Sequence, residues 1–356
     1  MAKMKSVIMV APKKVEIREM NIPTPGPNQV LVKIKSCNLC TAEQRFFVGE
    51  YGDKIYPINF GHEYAGVIEA IGSEVLADKY PIGARVAVRN QDSCGACYYC
   101  RIGRSDLCTH QQKANKSMIP YEGVRMMGGL SQYCVVDISG IFFLNDNITF
   151  HQAIFAEPLA CVCNSVGHTD IRLGSDVVVI GGGIMGMLHT MVAKLRGARV
   201  IMSEPDDARR ELALKLGADI VINPKEVDAV EEVKRITDGR GGDVIFNTTP
   251  ISAVAKQACD MVAKAGKVVM YSSQHPDKPI EISPNWIHSA QPIITGSVNP
   301  SIYSFQESVD LINKGIVDPT PLFYGSFPME KAEEAFLTAM RPDTYRVAID
   351  MEDDVI

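Results

Sequence analysis

The sequence predicts an α/β chain of two domains: an all-β, barrel-like unit and a nucleotide-binding unit built on a doubly wound parallel sheet. Three observations predict it. The chain has 356 residues, more than one domain usually holds. Up to about residue 150 it consists of short β-branched runs broken by proline and glycine. From Phe155 onward apolar strand runs alternate with helical patterns, the rhythm of a parallel sheet with helices on both faces.

In the first unit the strand runs are 30–35, 65–71 and 85–88, punctuated by Pro23, Pro25, Gly26, Pro27, Gly72 and Gly83. The second opens with a buried-strand run, Asp176–Ile180. A helix over 185–196, a strand over 199–204 and a helix over 206–216 with an acidic start and Gly217 at its end follow. Further strands are expected at 243–247, 267–271 and Ile293–Gly296. The closing segment holds two amphipathic helical patterns, 305–314 and 329–340, and a strand at 345–349 able to rejoin the β unit.

A net charge of −6 and 46% hydrophobic residues fit a soluble globular protein and argue against a nucleic-acid partner, which needs a basic surface. The apolar run after Lys3 and Lys5 ends at Pro12, too short for a signal-peptide core or a membrane span. It reads as a first strand, in a protein expected in the cytoplasm with no membrane partner. Ten cysteines in a chain of this length, several at metal-ligand spacing, fit a reducing compartment better than a disulfide framework.

Cys94-Gly-Ala-Cys97-Tyr-Tyr-Cys100 followed by Cys108 is a C-x2-C-x2-C-x7-C run. Four thiolates this close complete a tetrahedral zinc site and leave no position for a substrate, so the ion is expected to be structural. An iron–sulfur cluster is the rival occupant, because related spacings serve ferredoxins. Unliganded buried cysteines fit less well, since a polar loop offers them nothing to pack against. Zinc binding at such sites contributes on the order of 10 kcal/mol, enough to hold a lobe without a core of its own.

Gly181-Gly-Gly183-Ile184-Met185-Gly186 follows a predicted strand and opens a predicted helix, the context in which G-x-G-x-x-G points to a dinucleotide. The first glycine permits the tight turn, the second lets a pyrophosphate approach, and the third packs helix on sheet. Glu204, at the end of the second strand of this unit, is placed to accept the adenosine ribose hydroxyls and to repel a 2′-phosphate, so NAD is expected over NADP. Arg209 and Arg210 just downstream pull the other way, toward a 2′-phosphate.

Cys40, Gly61-His62-Glu63 and Glu157-Pro158-Leu159 are explained by no local motif. His62 alone could be a core histidine, and Cys37 with Cys40 has the spacing of a redox pair. Taken in order with the cysteine lobe and the glycine turn, however, these pieces resemble the zinc-containing medium-chain dehydrogenase/reductase family over essentially the whole chain. Gly61-His62-Glu63-Tyr-Ala-Gly66 is similar to that family's zinc motif, and Glu157-Pro158-Leu159-Ala160 to its sorbitol/polyol and threonine dehydrogenase branch.

The resemblance implies a GroES-like catalytic domain over 1–154 and 297–356, with the zinc lobe at about 91–110, and a Rossmann NAD domain over 155–296, the active site lying in the cleft. It implies two zinc ions per chain, one structural and one catalytic. Cys40 and His62 would be ligands of the catalytic ion, with Glu63 and Glu157 binding it directly or through water. Glu43 would fix the tautomer of His62, and Arg346 would meet the cofactor pyrophosphate. An open zinc acidifies an alcohol, and a hydride then passes to the nicotinamide.

The expected activity is hydride transfer between NAD and a secondary alcohol, a polyol or polyol derivative, giving the ketone. A threonine or amino-alcohol substrate is the alternative, and a catalytically silent NAD-binding protein a more distant one. A homodimer or homotetramer is implied. Where the family commonly has a hydroxyl and a histidine as proton relay, this chain has Ala42 and Arg45. Thr41, Glu63 or a water chain is left to carry the proton, and Arg45 either meets an anionic group on the substrate or points to solvent or pairs with a nearby carboxylate such as Glu50. Cys37, Cys134, Cys161, Cys163 and Cys259 read as packing residues.

Overall fold

The computed structural model describes residues 2–110, 120–274 and 276–352. The chain divides into two compact units, Met1–Ala160 with Ser301–Ile356, and Cys161–Pro300.

The first unit begins with an antiparallel hairpin, β1 (Lys3–Ala11) and β2 (Lys14–Asn21). Its main sheet has seven strands. β3 (Gln29–Asn38) is at the centre, between β4 (Glu63–Ile71) and β15 (Arg346–Asp350). β5 (Arg85–Arg89) and β7 (Ile141–Phe143) extend it beyond β4, β6 (Tyr133–Asp137) pairs with β3, and β14 (Phe323–Pro328) lies outside β15. All pairings are antiparallel except β14 with β15.

Alternating apolar residues bury one face of this sheet: Val32 and Ile34 of β3, Tyr64 and Ile68 of β4, Val86 and Val88 of β5, and Val347 and Ile349 of β15 belong to one core cluster. The register between β3 and β4 shifts twice, at Leu31/Val32 and at Ile34/Ser36. Such bulges bend a strand and re-aim its end. The closing strand joins this sheet by pairing Ala348 with Asn38.

A helix, Thr41–Val48, interrupts the β unit directly after β3. The β-branched punctuation of the flanking sequence gives no hint of it. Phe47, on its buried face, stacks on Phe336 of the helix Ala332–Ala339, with ring centroids 4.6 Å apart. That contact fixes the short helix against the core.

The second unit is a six-stranded parallel sheet in the order β10 (Ile220–Ile222), β9 (Arg199–Ser203), β8 (Asp176–Ile180), β11 (Gly242–Asn247), β12 (Val262–Met270), β13 (Ile293–Gly296). In chain order that is third, second, first, fourth, fifth, sixth, the doubly wound arrangement of dinucleotide-binding sheets. The winding reverses between β8 and β11, and ligands bind such sheets beyond the carboxyl ends of the strands there. Both strands are Val/Ile-rich and buried on both faces. The structure adds β10 and the helices Ala229–Ile236, Ser252–Met261 and Pro284–Ala290 to the elements expected from the sequence. Among the described residues no helix is long and apolar enough to cross a membrane.

His189 lies fully buried on the helix Ile184–Leu195, against the rings of Phe246 and Tyr271. Its Nδ1 donates to the Met185 carbonyl oxygen at 2.7 Å, because a carbonyl can only accept, and its Nε2 therefore accepts from the Ser165 hydroxyl at 2.9 Å. Burial pulls its pKa down to about 4. In the unfolded chain a histidine titrates near about 6.5, so between these values the unfolded state binds more protons. The neutral ring's stabilisation is complete above the upper value and is lost as pH falls toward the lower. The loss is about 3 kcal/mol. We expect His189→Gln, which keeps a donor and an acceptor, to flatten the pH dependence of stability in that window. Urea unfolding of both proteins at a series of pH values measures it.

Candidate active site

The four cysteines leave β5 and wrap around a short helix, Tyr98–Arg101, before Cys108. Their sulfurs lie within 4.8 Å of one another. Cys97 Sγ is 3.5 Å from that of Cys100 and 4.0 Å from that of Cys108. A tetrahedron with Zn–S bonds of about 2.3 Å has an edge of about 3.8 Å, so the thiols stand close to a zinc cage. Backbone N–H groups of Ala96 and Cys97 pull the Cys94 thiol down, and those of Cys100 and Thr109 pull Cys97 down to about 5. Burial and the neighbouring sulfurs push Cys100 up to about 12. Four thiolates cannot coexist at this distance without a cation among them, and the donor set fits zinc.

A second group of possible metal ligands lies wholly within the first unit: Cys40, His62 and Glu63, again within 4.8 Å of one another. Cys40 is the N-cap of the helix Thr41–Val48, and His62 and Glu63 stand where β4 begins. Gly61 has φ +118, and a Cβ there would sit 2.8 Å from the Leu130 backbone nitrogen, so only glycine brings His62 in at this angle.

Glu43, fully buried, ties the ligands together. One of its oxygens accepts from the Cys40 backbone N–H at 3.0 Å, closing a capping box, and the other holds Nδ1 of His62 at 2.6 Å. A carboxylate on Nδ1 leaves Nε2 as the ligand nitrogen. Burial works against charge on His62, but Glu43 and Cys40 outweigh it and raise its pKa well above the ordinary value. Burial also raises the Cys40 thiol, with Arg346 opposing.

Arg346 donates to both oxygens of Glu63, at 2.9 and 2.7 Å, and its Nη2 lies 3.4 Å from Cys40 Sγ. Burial lowers its pKa, but Glu63 and Cys40 more than restore it, and the net shift is upward. Glu63 thus stands both in the ligand set and in an ion pair, and Arg346, expected at a pyrophosphate, is bonded to Glu63 and buried to 3% exposure. Cys40 as thiolate, Glu43 and Glu63 leave an excess of negative charge over Arg346, which a divalent cation would balance. Glu157, on the first turn of the helix Ala156–Gly167, is buried but stands outside the set of mutually close ligand atoms.

Of the two sequence readings of Arg45, the structure has the pair with Glu50. Arg45 Nε donates to Glu50 at 2.6 Å and its guanidinium lies over the Tyr51 ring, 5.0 Å from the centroid. A substrate anion would have to displace a carboxylate. Thr41 is exposed at the first position of the helix.

In the second unit the glycine turn joins β8 to the helix Ile184–Leu195, with Gly183 as N-cap and Ile184 and Met185 half-buried in its first turn. A Cβ on Gly186 would lie 1.8 Å from the Gly181 carbonyl oxygen, so helix and turn close only around glycine, whereas nothing lies within 4 Å of where one would stand on Gly183. Glu204 is buried beside this turn. Its carboxylate accepts from the Gly182 N–H at 2.5 Å and the Asp206 N–H at 2.9 Å. Arg209 donates its backbone N–H to Asp206, and Arg210 bonds the Glu204 carbonyl oxygen at 2.7 Å and pairs with Asp207. Thr248, which sequence reasoning passed over, bonds the Ile180 carbonyl oxygen at 2.8 Å and lines the turn from the end of β11. No spacing rule links it to the glycines.

Two outcomes follow from this geometry. Glu43→Ala should weaken metal retention at Cys40 and His62 by about 10- to 100-fold, read by chelator competition, with loss of the cap costing about 1 kcal/mol in urea unfolding. Arg45→Ala should leave the ratio of rates on neutral and anionic alcohols unchanged within about twofold, since the guanidinium is already held by Glu50 and such a surface pair contributes little; steady-state kinetics on both types of alcohol checks it.

Comparison with known proteins agrees with both units. The family model for the alcohol dehydrogenase GroES-like domain matches residues 26–146, and that for zinc-binding dehydrogenases matches 185–314. Sorbitol dehydrogenase of Bacillus subtilis is 28% identical over 342 residues, covering 95% of this chain and 94% of the relative. L-threonine 3-dehydrogenase of Pyrococcus horikoshii is 36% identical over 257 residues, 71% of each chain. Among solved structures, an alcohol dehydrogenase from Escherichia coli CFT073 complexed with NADH superposes with a TM-score of 0.86 at 27% identity, over 98% of this chain and all of that one. Fold, ligand set and relatives agree, and the chain belongs to the zinc-containing medium-chain alcohol dehydrogenase family of enzymes.

Proposed function

We propose that this enzyme transfers a hydride between NAD and a secondary hydroxyl of a polyol, giving the ketone, with a structural zinc on Cys94, Cys97, Cys100 and Cys108 and a catalytic zinc on Cys40 and His62. The observation that carries this reading is the close set Cys40, His62 and Glu63 with Glu43 locked behind it. A zinc ion held there supplies Lewis acidity, lowering the pKa of a substrate hydroxyl. The chain's own residues do the rest. Glu43 keeps Nδ1 of His62 protonated and Nε2 turned to the metal. Glu63 and Arg346 set the charge behind Cys40. With both Glu63 oxygens on Arg346, the hydroxyl proton leaves by way of Thr41 and solvent.

In the NAD unit Gly183, Ile184 and Met185 offer the pyrophosphate a helix N-terminus with open space above it. Glu204 takes the ribose diol and repels a 2′-phosphate. Solved relatives carry NADH in one case and NADP in another, so the preference rests on Glu204. The polyol reading draws on the full-length likeness to sorbitol dehydrogenase, and the commitment of Arg45 to Glu50 favours a neutral substrate over an anionic one. The higher identity to L-threonine 3-dehydrogenase supports an amino alcohol as the second reading. As for the family, a homodimer or homotetramer in the cytoplasm is the state we assign.

The test is a screen for NADH formation over neutral polyols, phosphorylated polyols and L-threonine, with zinc measured on the same preparation. We expect two zinc ions per chain and turnover of neutral polyols that chelation abolishes. One zinc per chain would sink the catalytic assignment, and turnover of L-threonine alone would replace the polyol. Glu204→Gln, which keeps an acceptor but removes the charge, should raise the efficiency with NADP relative to NAD by at least about tenfold, because a like-charge juxtaposition costs several kcal/mol.

A further inference from the structure

Asn38, the last residue of β3, is fully buried and precedes Cys40 by two positions. It stands opposite Glu63 of β4 on one side and Ala348 of β15 on the other, where the strand ends that lead to the second ligand set meet. Its Nδ2 donates to the carbonyl oxygen of Ile154 at 3.2 Å, across 116 residues of chain. That buried oxygen lacks its helical donor. Leu159 N–H bonds the Phe155 carbonyl oxygen at 3.0 Å, but the N–H that would take Ile154 in the same ladder belongs to position 158, a proline. Asn38 supplies the bond that Pro158 cannot. Glu157, the buried carboxylate on the first turn of the helix Ala156–Gly167, follows Ile154 closely in the chain.

Because a carbonyl only accepts, the NH2 group is the half of the amide turned to Ile154. The other half, Oδ1, is buried with no hydrogen-bond partner among the described residues. An unpaired buried acceptor costs stability, and a leucine of similar volume would fill the space without it. Packing therefore does not account for an asparagine here, whereas the bond to Ile154 does. Groups that orient the ligands of a metal govern its retention as the ligands do. We propose that Asn38 is a positioning residue: by holding the Ile154 carbonyl oxygen it fastens the turn that leads to Glu157 onto the strand that delivers Cys40, and so sets how the Glu157 carboxylate meets an ion on Cys40 and His62. The proposal rests on the catalytic-zinc reading above, and Asn38 acts in it only through Glu157.

The test is a double-mutant cycle on the full-length zinc-loaded enzyme: wild type, Asn38→Leu, Glu157→Gln and the two together. Zinc release into excess chelator is followed with a metal indicator, and thiols with a disulfide reagent. The ion on Cys40 and His62 is recognised as the one whose loss does not expose four thiols together. Asn38→Leu should accelerate its release by about 10- to 100-fold, and Glu157→Gln should accelerate it as well. Added to Glu157→Gln, Asn38→Leu should change release by no more than about twofold further, because the two act as one unit. Asn38→Ser, too short to reach Ile154, carries the test if the leucine variant does not fold. Urea unfolding of the same four proteins separates this role from a purely structural one, which would lower the midpoint while leaving release as in the wild type or multiplying it in full on the Glu157→Gln background. Either of those results overturns the proposal, and so does a Glu157→Gln enzyme that keeps its ion as the wild type does. A wild-type enzyme that holds no zinc beyond the lobe overturns the catalytic-zinc reading itself, and the role of Asn38 with it.

Discussion

Glu43 is a fully buried carboxylate with each oxygen used, one on the backbone N–H of Cys40 and one on Nδ1 of His62. The second metal-ligand set depends on this side chain. It starts the helix that carries Cys40, and in the same act it selects which nitrogen of His62 faces the ion. A helix cap and a tautomer lock are ordinary devices separately. Combined in one residue, they make the geometry of the ligands inseparable from the folding of eight residues of helix. Phe47, stacked on Phe336, keeps that helix from drifting.

Charge is the second organising constraint. Cys40, Glu43 and Glu63 crowd into a buried space whose balancing protein cation is Arg346. The ion pair with Glu63 satisfies the guanidinium fork and leaves its Nη2 against the Cys40 sulfur. In the lobe, Asp106 is taken by Arg104 in the same way.

Much of this was legible in the sequence, and the reasons differ by element. The four cysteines are close along the chain, so spacing alone suggested a metal cage. The glycine turn lies between a strand and a helix of strong periodicity, and the third glycine is obligatory because the Gly181 carbonyl oxygen fills the place of a Cβ. The helix Thr41–Val48 escaped notice because eight residues among strands leave too short a pattern. The pairing of Arg346 with Glu63 escaped it for a different reason: β15 reaches β3 only through tertiary contact, and no local signal can announce a partner 283 residues away. Family likeness supplied Cys40 with His62, and nearness along the chain suggested Glu50 for Arg45, but nothing announced what Arg346 holds.

That separation along the chain has a consequence for biosynthesis. Glu63 leaves the ribosome long before Arg346 exists, and at about 5–20 residues per second the interval is roughly 15 to 60 s. During that time β4 and β3 can pair, but the carboxylate destined for the interior has no guanidinium to meet it. β15 closes the sheet and delivers the missing charge in one event, so the metal-ligand set reaches its final electrostatic state only once that strand has been made. Premature termination just short of β15 would release a chain with most of its sheet and an uncompensated acid at its centre, a substrate for proteolysis.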